Sequence, residues 1–120
     1  MALPVNHPLN EIVVWAYMAD VSAASSAFTV APVTGKIVEM GSVIYVAITG
    51  ADAAITSKIA GTAVTGGSWT ITQSGAAAGD VDTATPTAAN GVAEGQNIEF
   101  ITDGASSTTS PAMFFARIRY

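Results

Sequence analysis

Titratable and nucleophilic side chains are scarce in this 120-residue chain, and few are spaced for chemistry. The single histidine, His7, lies between Pro4 and Pro8 in the first ten residues. A lone histidine there reads as an exposed side chain rather than a general base or a metal ligand. A zinc site would need a second imidazole or a thiolate, and the chain has no cysteine. Asp80 and Asp82, in GDVD, could seed a calcium loop, because hard cations want several oxygens. The alternating acids, glycine and distal glutamate of an EF-hand are missing, so solvated turn carboxylates are the plainer reading. Glu94 and Glu99 flank a turn and could in principle form an acid/base pair. In a chain with nine acids that spacing is background. No serine sits in a G-x-S-x-G elbow. GTAVTGG lacks the lysine and the following Ser/Thr of a phosphate-binding P-loop. These residue types point away from an enzyme and from any bound metal or cofactor. They point toward a protein whose work is done by its surface.

Composition sharpens that view. One domain fits the length. Only 11% of residues are charged, against about 25% in an ordinary soluble domain. Ala, Ser, Thr and Gly supply 58 of the 120 residues, and leucine occurs only at Leu3 and Leu9. A helical bundle would be rich in Leu, Glu and Lys, and a disordered chain would be charged and poor in apolar residues. The net charge is −5, with four basic residues, Lys36, Lys58, Arg117 and Arg119. Phosphate neutralisation needs clustered Lys and Arg, so no nucleic-acid role is expected. No apolar run approaches a bilayer span, and MALPVNHPLN lacks the basic and apolar regions of a signal peptide. Synthesis in a cytoplasm, with no membrane partner, is the expectation. A surface made of short Ser, Thr, Ala and Gly side chains loses little rotamer entropy when covered. It suits broad contacts between subunits.

The elements that must carry this surface are strands. Residues 1–10 hold two prolines and no periodic pattern, and read as an extended N-terminal arm bearing Leu3, Val5 and Leu9. A single domain over 11–120 follows. EIVVWAYMA (11–19) is β-branched and aromatic. Val13, Trp15 and Tyr17 lie on one face, with Ile12, Val14 and Met18 on the other. Both faces are apolar, which predicts cover on both sides. Strand patterns follow at 27–33 and 35–48. The second is long, and Gly41 predicts a bulge or bend where the strand crosses between two sheets. A meander is expected over 53–59, 62–65 and 68–74, with Gly66-Gly67 as a two-residue hairpin turn. Ala60-Gly61 is the weaker turn, because alanine resists positive φ. Residues 75–95 are weakly patterned, with one short strand or crossover near 80–93. Clear strands close the chain at 96–102 and 112–120. In the last, Phe114, Ala116, Ile118 and Tyr120 oppose Phe115, Arg117 and Arg119. About eight strands with short turns and no convincing helix predict an all-β, jelly-roll-like sandwich of two sheets.

The run from Ser26 to about residue 102 resembles the head decoration, or capsid cement, proteins of tailed bacteriophages. The resemblance is carried by APVTGKIVEMGSVIYVAITGADAAITSKIAGTAVTGG and by SWTITQSGAAAGDVDTATPTAANGVAEGQNIEF. Matching positions include Gly35, Asp52, Gly61, Gly66, Gly79, Pro86, Asn90 and Gly95. Ala60 departs from the pattern, standing where a turn-forming asparagine is expected. The resemblance implies a jelly-roll-like domain on the outer surface of a virion, made in the host cytoplasm. There it bridges major capsid protein subunits as a homotrimer and supplies no catalytic residue. Read with the sequence, it makes Leu3, Val5, Leu9, Trp15 and Tyr17 the expected capsid or intersubunit contacts. Two alternatives remain at this point. One is another virion β-module, part of a head fibre or tail spike. The other is a carbohydrate-binding module using Trp69 or Trp15.

Overall fold

The computed structural model describes residues 10–120. His7, Leu3, Val5 and Leu9 lie outside the described residues. Ten strands follow: β1 Glu11–Met18, β2 Ser25–Val30, β3 Gly35–Ile44, β4 Ala53–Ile59, β5 Thr62–Ala63, β6 Trp69–Ile71, β7 Val81–Ala84, β8 Gly91–Val92, β9 Asn97–Thr102 and β10 Ala112–Arg119. No helix occurs among the described residues.

The strands form two antiparallel sheets. The front sheet runs β1-β10-β3, with β7 and β8 both on the far side of β3; the back sheet runs β2-β9-β4, with β5 and β6 both on the far side of β4. Ten segments thus occupy eight strand places. Their pairing is nested: β1 with β10, β2 with β9, β3 with β7 and β8, β4 with β5 and β6. A long antiparallel ribbon rolled up on itself gives this order, which is the jelly roll. The fold class is therefore the expected one.

Alternation along each strand makes the core. Ala16, Met18, Ile37, Met40, Ile44, Phe114, Ala116 and Ile118 point inward from the front sheet, and Ile55, Ile59, Trp69, Ile71, Ile98 and Phe100 from the back. At the centre, Phe100 and Phe114 stack with ring centroids 5.3 Å apart, and Trp69 lies 6.2 Å from Phe114. The Trp69 indole N–H donates to the buried Ser42 hydroxyl at 3.0 Å. The one polar atom on that ring is thereby satisfied, as a buried indole requires.

Three expectations change. First, Gly41 is not a bend. The β3–β10 register runs unbroken past it and slips only between Arg117 and Ile118, where Val38 is the extra residue on β3. Gly41 instead faces Phe115: a Cβ there would meet the Phe115 ring at 2.7 Å and the Asp82 carbonyl oxygen at 2.5 Å. The glycine admits a ring, and β3 stays in one sheet throughout. Second, Gly66-Gly67 is not a hairpin turn. β5 and β6 lie in one line along β4, and residues 64–68 loop out between Lys58↔Ala63 and Ile55↔Trp69. Thr65 leaves the ladder to bridge Ala88. Third, Ala60-Gly61 is the true two-residue hairpin between β4 and β5. Both residues have positive φ, 48° and 86°, as a type I′ turn demands.

Candidate functional site

Antiparallel register lines up side chains in rows across a sheet. On the outer face of the front sheet one row reads Trp15, Phe115, Gly41, Thr83, and the next reads Tyr17, Met113, Val43, Val81. Both rows cross all four strand places. Trp15 leans on Phe115, with ring centroids 5.3 Å apart, and Phe115 in turn lies over the bare Gly41. Just beyond β3, the Tyr45 N–H donates to the Pro111 carbonyl at 2.9 Å, holding that residue beside the start of β10. Trp15, Tyr45, Val43 and Met113 line a shallow depression of about 390 Å³. Exposure is high for such side chains: 52% for Trp15, 57% for Tyr17, 61% for Val81.

Charge is confined to the other end of the same face. The rows there read Val13, Arg117, Glu39 and Glu11, Arg119, Lys36. Arg119 pairs with Glu11, its Nε donating at 2.9 Å, and Arg117 pairs with Glu39. Both arginines are thus neutralised within the chain, and the apolar rows begin where these pairs end.

Of the expected contact residues, Trp15 and Tyr17 fall together on this face. The inward face of β1 is covered by the sandwich, and the outward one is open on the single chain. Phe115, Met113, Val43, Tyr45 and Val81 complete the patch. Alternation in 112–120 already placed Phe115 beside Arg117 and Arg119, on a face that should be wet. The row register, which only pairing reveals, was the missing part.

The other candidates disperse. Trp69 is 8% exposed and spent on the core, so it offers no platform for a sugar. Asp80 accepts the Ala77 N–H at 2.9 Å as a turn cap. Asp82 sits opposite Ser42 on the inward side of β7, and burial, reinforced by Asp80, raises its carboxyl above the usual value of 3.8. Among the described residues no group of three or more His, Cys, Asp and Glu could hold a metal ion. Glu94 lies in the β8–β9 turn, whereas Glu99 projects from the outer face of β9 and accepts the Ser26 hydroxyl at 2.6 Å. Asp20 ties the β1–β2 arch to the loop before β10. It accepts the Ser22 hydroxyl at 2.7 Å, the Ser22 N–H at 2.9 Å and the Ser110 N–H at 3.2 Å. Those bonds, the Ser22 hydroxyl first, lower its pKa.

No protein-family model matches the chain. No curated protein matches it. Solved structures resemble it at low identity. The catalytic unit of a thermostable GH87 alpha-1,3-glucanase from Streptomyces thermodiastaticus strain HF3-3 is 14% identical with a TM-score of 0.53, over 92% of this chain and 26% of that one. FlhE is 11% identical with a TM-score of 0.47, over 92% and 99%. A chain of the cyanophage Pam1 capsid asymmetric unit is 14% identical with a TM-score of 0.44, over 99% and 91%. The chain spans about a quarter of the glucanase unit, and likeness at this level speaks to the β-sandwich fold alone.

Proposed function

We propose that this chain is a capsid decoration protein, a non-catalytic cement that binds the outer surface of a tailed-phage head and bridges major capsid subunits. The observation that carries the reading is the pair of apolar rows on the outer front face. Soluble domains rarely leave Trp, Tyr and Val exposed together unless something covers them. A chain with 13 charged residues in all has little else to hold a partner with. The sequence resemblance supplies the partner's identity. It also supplies the expectation that the chain sits on the head as a homotrimer, with Leu3, Val5 and Leu9 extending the contact from the arm. A standard interface buries about 1,600 Å² in total, and repetition over a shell turns modest single affinities into a large summed stabilisation.

The test is to compare purified heads with and without the chain. Decorated heads should resist heating and chelator longer. Deleting residues 1–10 should abolish attachment while the domain stays folded. Heads equally robust in both states, or undiminished attachment of the shortened chain, would refute the reading. A glycan platform is the second reading, favoured by Trp15 and Tyr45 beside one depression. Quenching of Trp15 by oligosaccharide titration would select it.

A further inference from the structure

The four lateral edges of the sandwich are not alike. The edge beyond β3 is broken into β7 and β8, and the edge beyond β4 into β5 and β6. Short, interrupted strands are a common guard against strand-to-strand association. β2 spans six residues, four of them Ser or Thr or Ala. β1 has no such guard. It runs eight residues without Pro, Gly, Lys or a bulge, and pairs only with β10 among the described residues. Its inward residues Ile12 and Val14 stay half-buried, although they pack against the core. Among the described residues, the rim of the sandwich therefore lies open along this strand.

The direction of its free hydrogen-bonding groups can be read off. The Tyr120 N–H donates to the Asn10 carbonyl at 2.9 Å, so 10 and 120 form a hydrogen-bonded pair one step before Glu11↔Arg119. Antiparallel alternation then turns the N–H and C=O of Glu11, Val13, Trp15 and Tyr17 away from β10, toward the open edge. The same four residues carry the outward side chains.

We propose that β1 pairs antiparallel with β1 of a second copy of this chain, about a two-fold axis at Val14. Residues opposite one another in such a pair must share a face, which restricts the register. The one centred on Val14 sets Val13 against the second copy's Trp15, and Glu11 against its Tyr17. All four edge residues of each copy then find partners within the strand, giving about eight new backbone hydrogen bonds. Shifting the centre to Trp15 would put Glu11 opposite a residue beyond β1. Nothing repels: each Glu11 is already bonded to its own Arg119, and it faces a tyrosine rather than a second carboxylate. The twice-made Val–Trp pair is a favourable cross-strand combination. The front sheets join into one, and the two apolar patches become neighbours on a single face. An edge of about 26 Å is a contact at the low end of specific interfaces. A reversible, concentration-dependent dimer is expected in solution. The proposal concerns the free chain and does not depend on the head reading, whose three-fold arrangement belongs to the attached state.

Light scattering and amide hydrogen exchange on the full chain test it across the micromolar to sub-millimolar range. Mass should rise from one copy to two. With concentration, exchange should slow at Val13, Trp15 and Tyr17 but stay constant at Ile12, Val14 and Ala16, which already bond to β10. Val13→Pro removes an edge N–H that β10 does not use, and should leave a folded monomer. Val13→Lys keeps that N–H and should weaken pairing about tenfold by losing the Val–Trp contacts. A monomer at every concentration, a trimer, a dimer unaffected by both variants, or slowing without the alternation would each overturn it.

Discussion

The two outer faces of the sandwich are built alike and composed differently. On the back sheet the outward residues are Ser26, Phe28 and Val30 from β2, Asn97, Glu99 and Ile101 from β9, and Ala54, Thr56 and Lys58 from β4. Apolar side chains there, Phe28 at 58% exposure among them, stand beside polar neighbours: Phe28 faces Glu99, which faces Lys58. On the front sheet the row Tyr17, Met113, Val43, Val81 runs on without interruption across four strand places, with Trp15 and Phe115 beside it. Both faces obey the same period-two alternation, and the core needs neither. Folding alone does not account for the front rows; the proposed partner would. The lesson is one of adjacency: single exposed apolar residues are ordinary, and their register-matched succession is the signal.

The strongest way to break that contrast is to swap polarity on each face separately. Trp15→Ser with Tyr17→Ser should cost at least tenfold in attachment to heads, because large aromatics dominate interface energetics. Phe28→Ser with Val30→Ser should change attachment little. Co-sedimentation titrations measure both, and equal losses would erase the distinction. Gly41→Ala comes next. Its methyl collides with the Phe115 ring and the Asp82 carbonyl, so it should destabilise the fold by about 2 kcal/mol through overpacking. Denaturant melts would show it, and the outer face should lose its flat row. A smaller effect of opposite sign belongs to the back sheet. Ala60→Asn at φ 48° should stabilise by about 0.5–1 kcal/mol, since asparagine tolerates the left-handed region better, with attachment unchanged.

The smallest effect is in pH. Asp82 has a raised pKa in the fold, so its ionisation opposes folding at neutral pH. That cost is relieved as pH falls through the raised value toward 3.8. Asp82→Asn should therefore raise Tm slightly at pH 7, with the gain shrinking under acid. Asp20 has the opposite sign: its lowered pKa contributes stability above 3.8 that is lost as pH falls through the folded value. Asp20→Ala should lower Tm at neutral pH and matter less in acid. Thermal melts over pH 3 to pH 7 would distinguish the two.

Much of the fold was legible in the sequence because strands announce themselves by alternation. Ile98 and Phe100, and Phe114, Ala116 and Ile118, share the buried faces that alternation gave them, whereas Tyr120, grouped with the last three, lies past β10 and is exposed; 53–59 matches β4 residue for residue. What local pattern misled was the glycines. Gly41 looked like a bend, but its role is set by Phe115, a residue more than seventy positions away. Gly66-Gly67 looked like a hairpin turn, but β4 captures both flanking segments, so the pair sits in a loop between them. Conversely, Ala60 resists positive φ, yet β4 and β5 close around it and hold it there. Half of the candidate site was equally legible: Trp15 and Tyr17 on one face of the first strand. Its other half comes from β3, β7 and β10, and only long-range register brings those residues alongside.

The most direct measurement uses Trp15 as its own reporter. With Trp69→Phe removing the buried indole, acrylamide quenching reads Trp15 alone, free and on purified tailed-phage heads. Quenching should fall several-fold on attachment. A chain that attaches while Trp15 remains as accessible as in solution would contradict it.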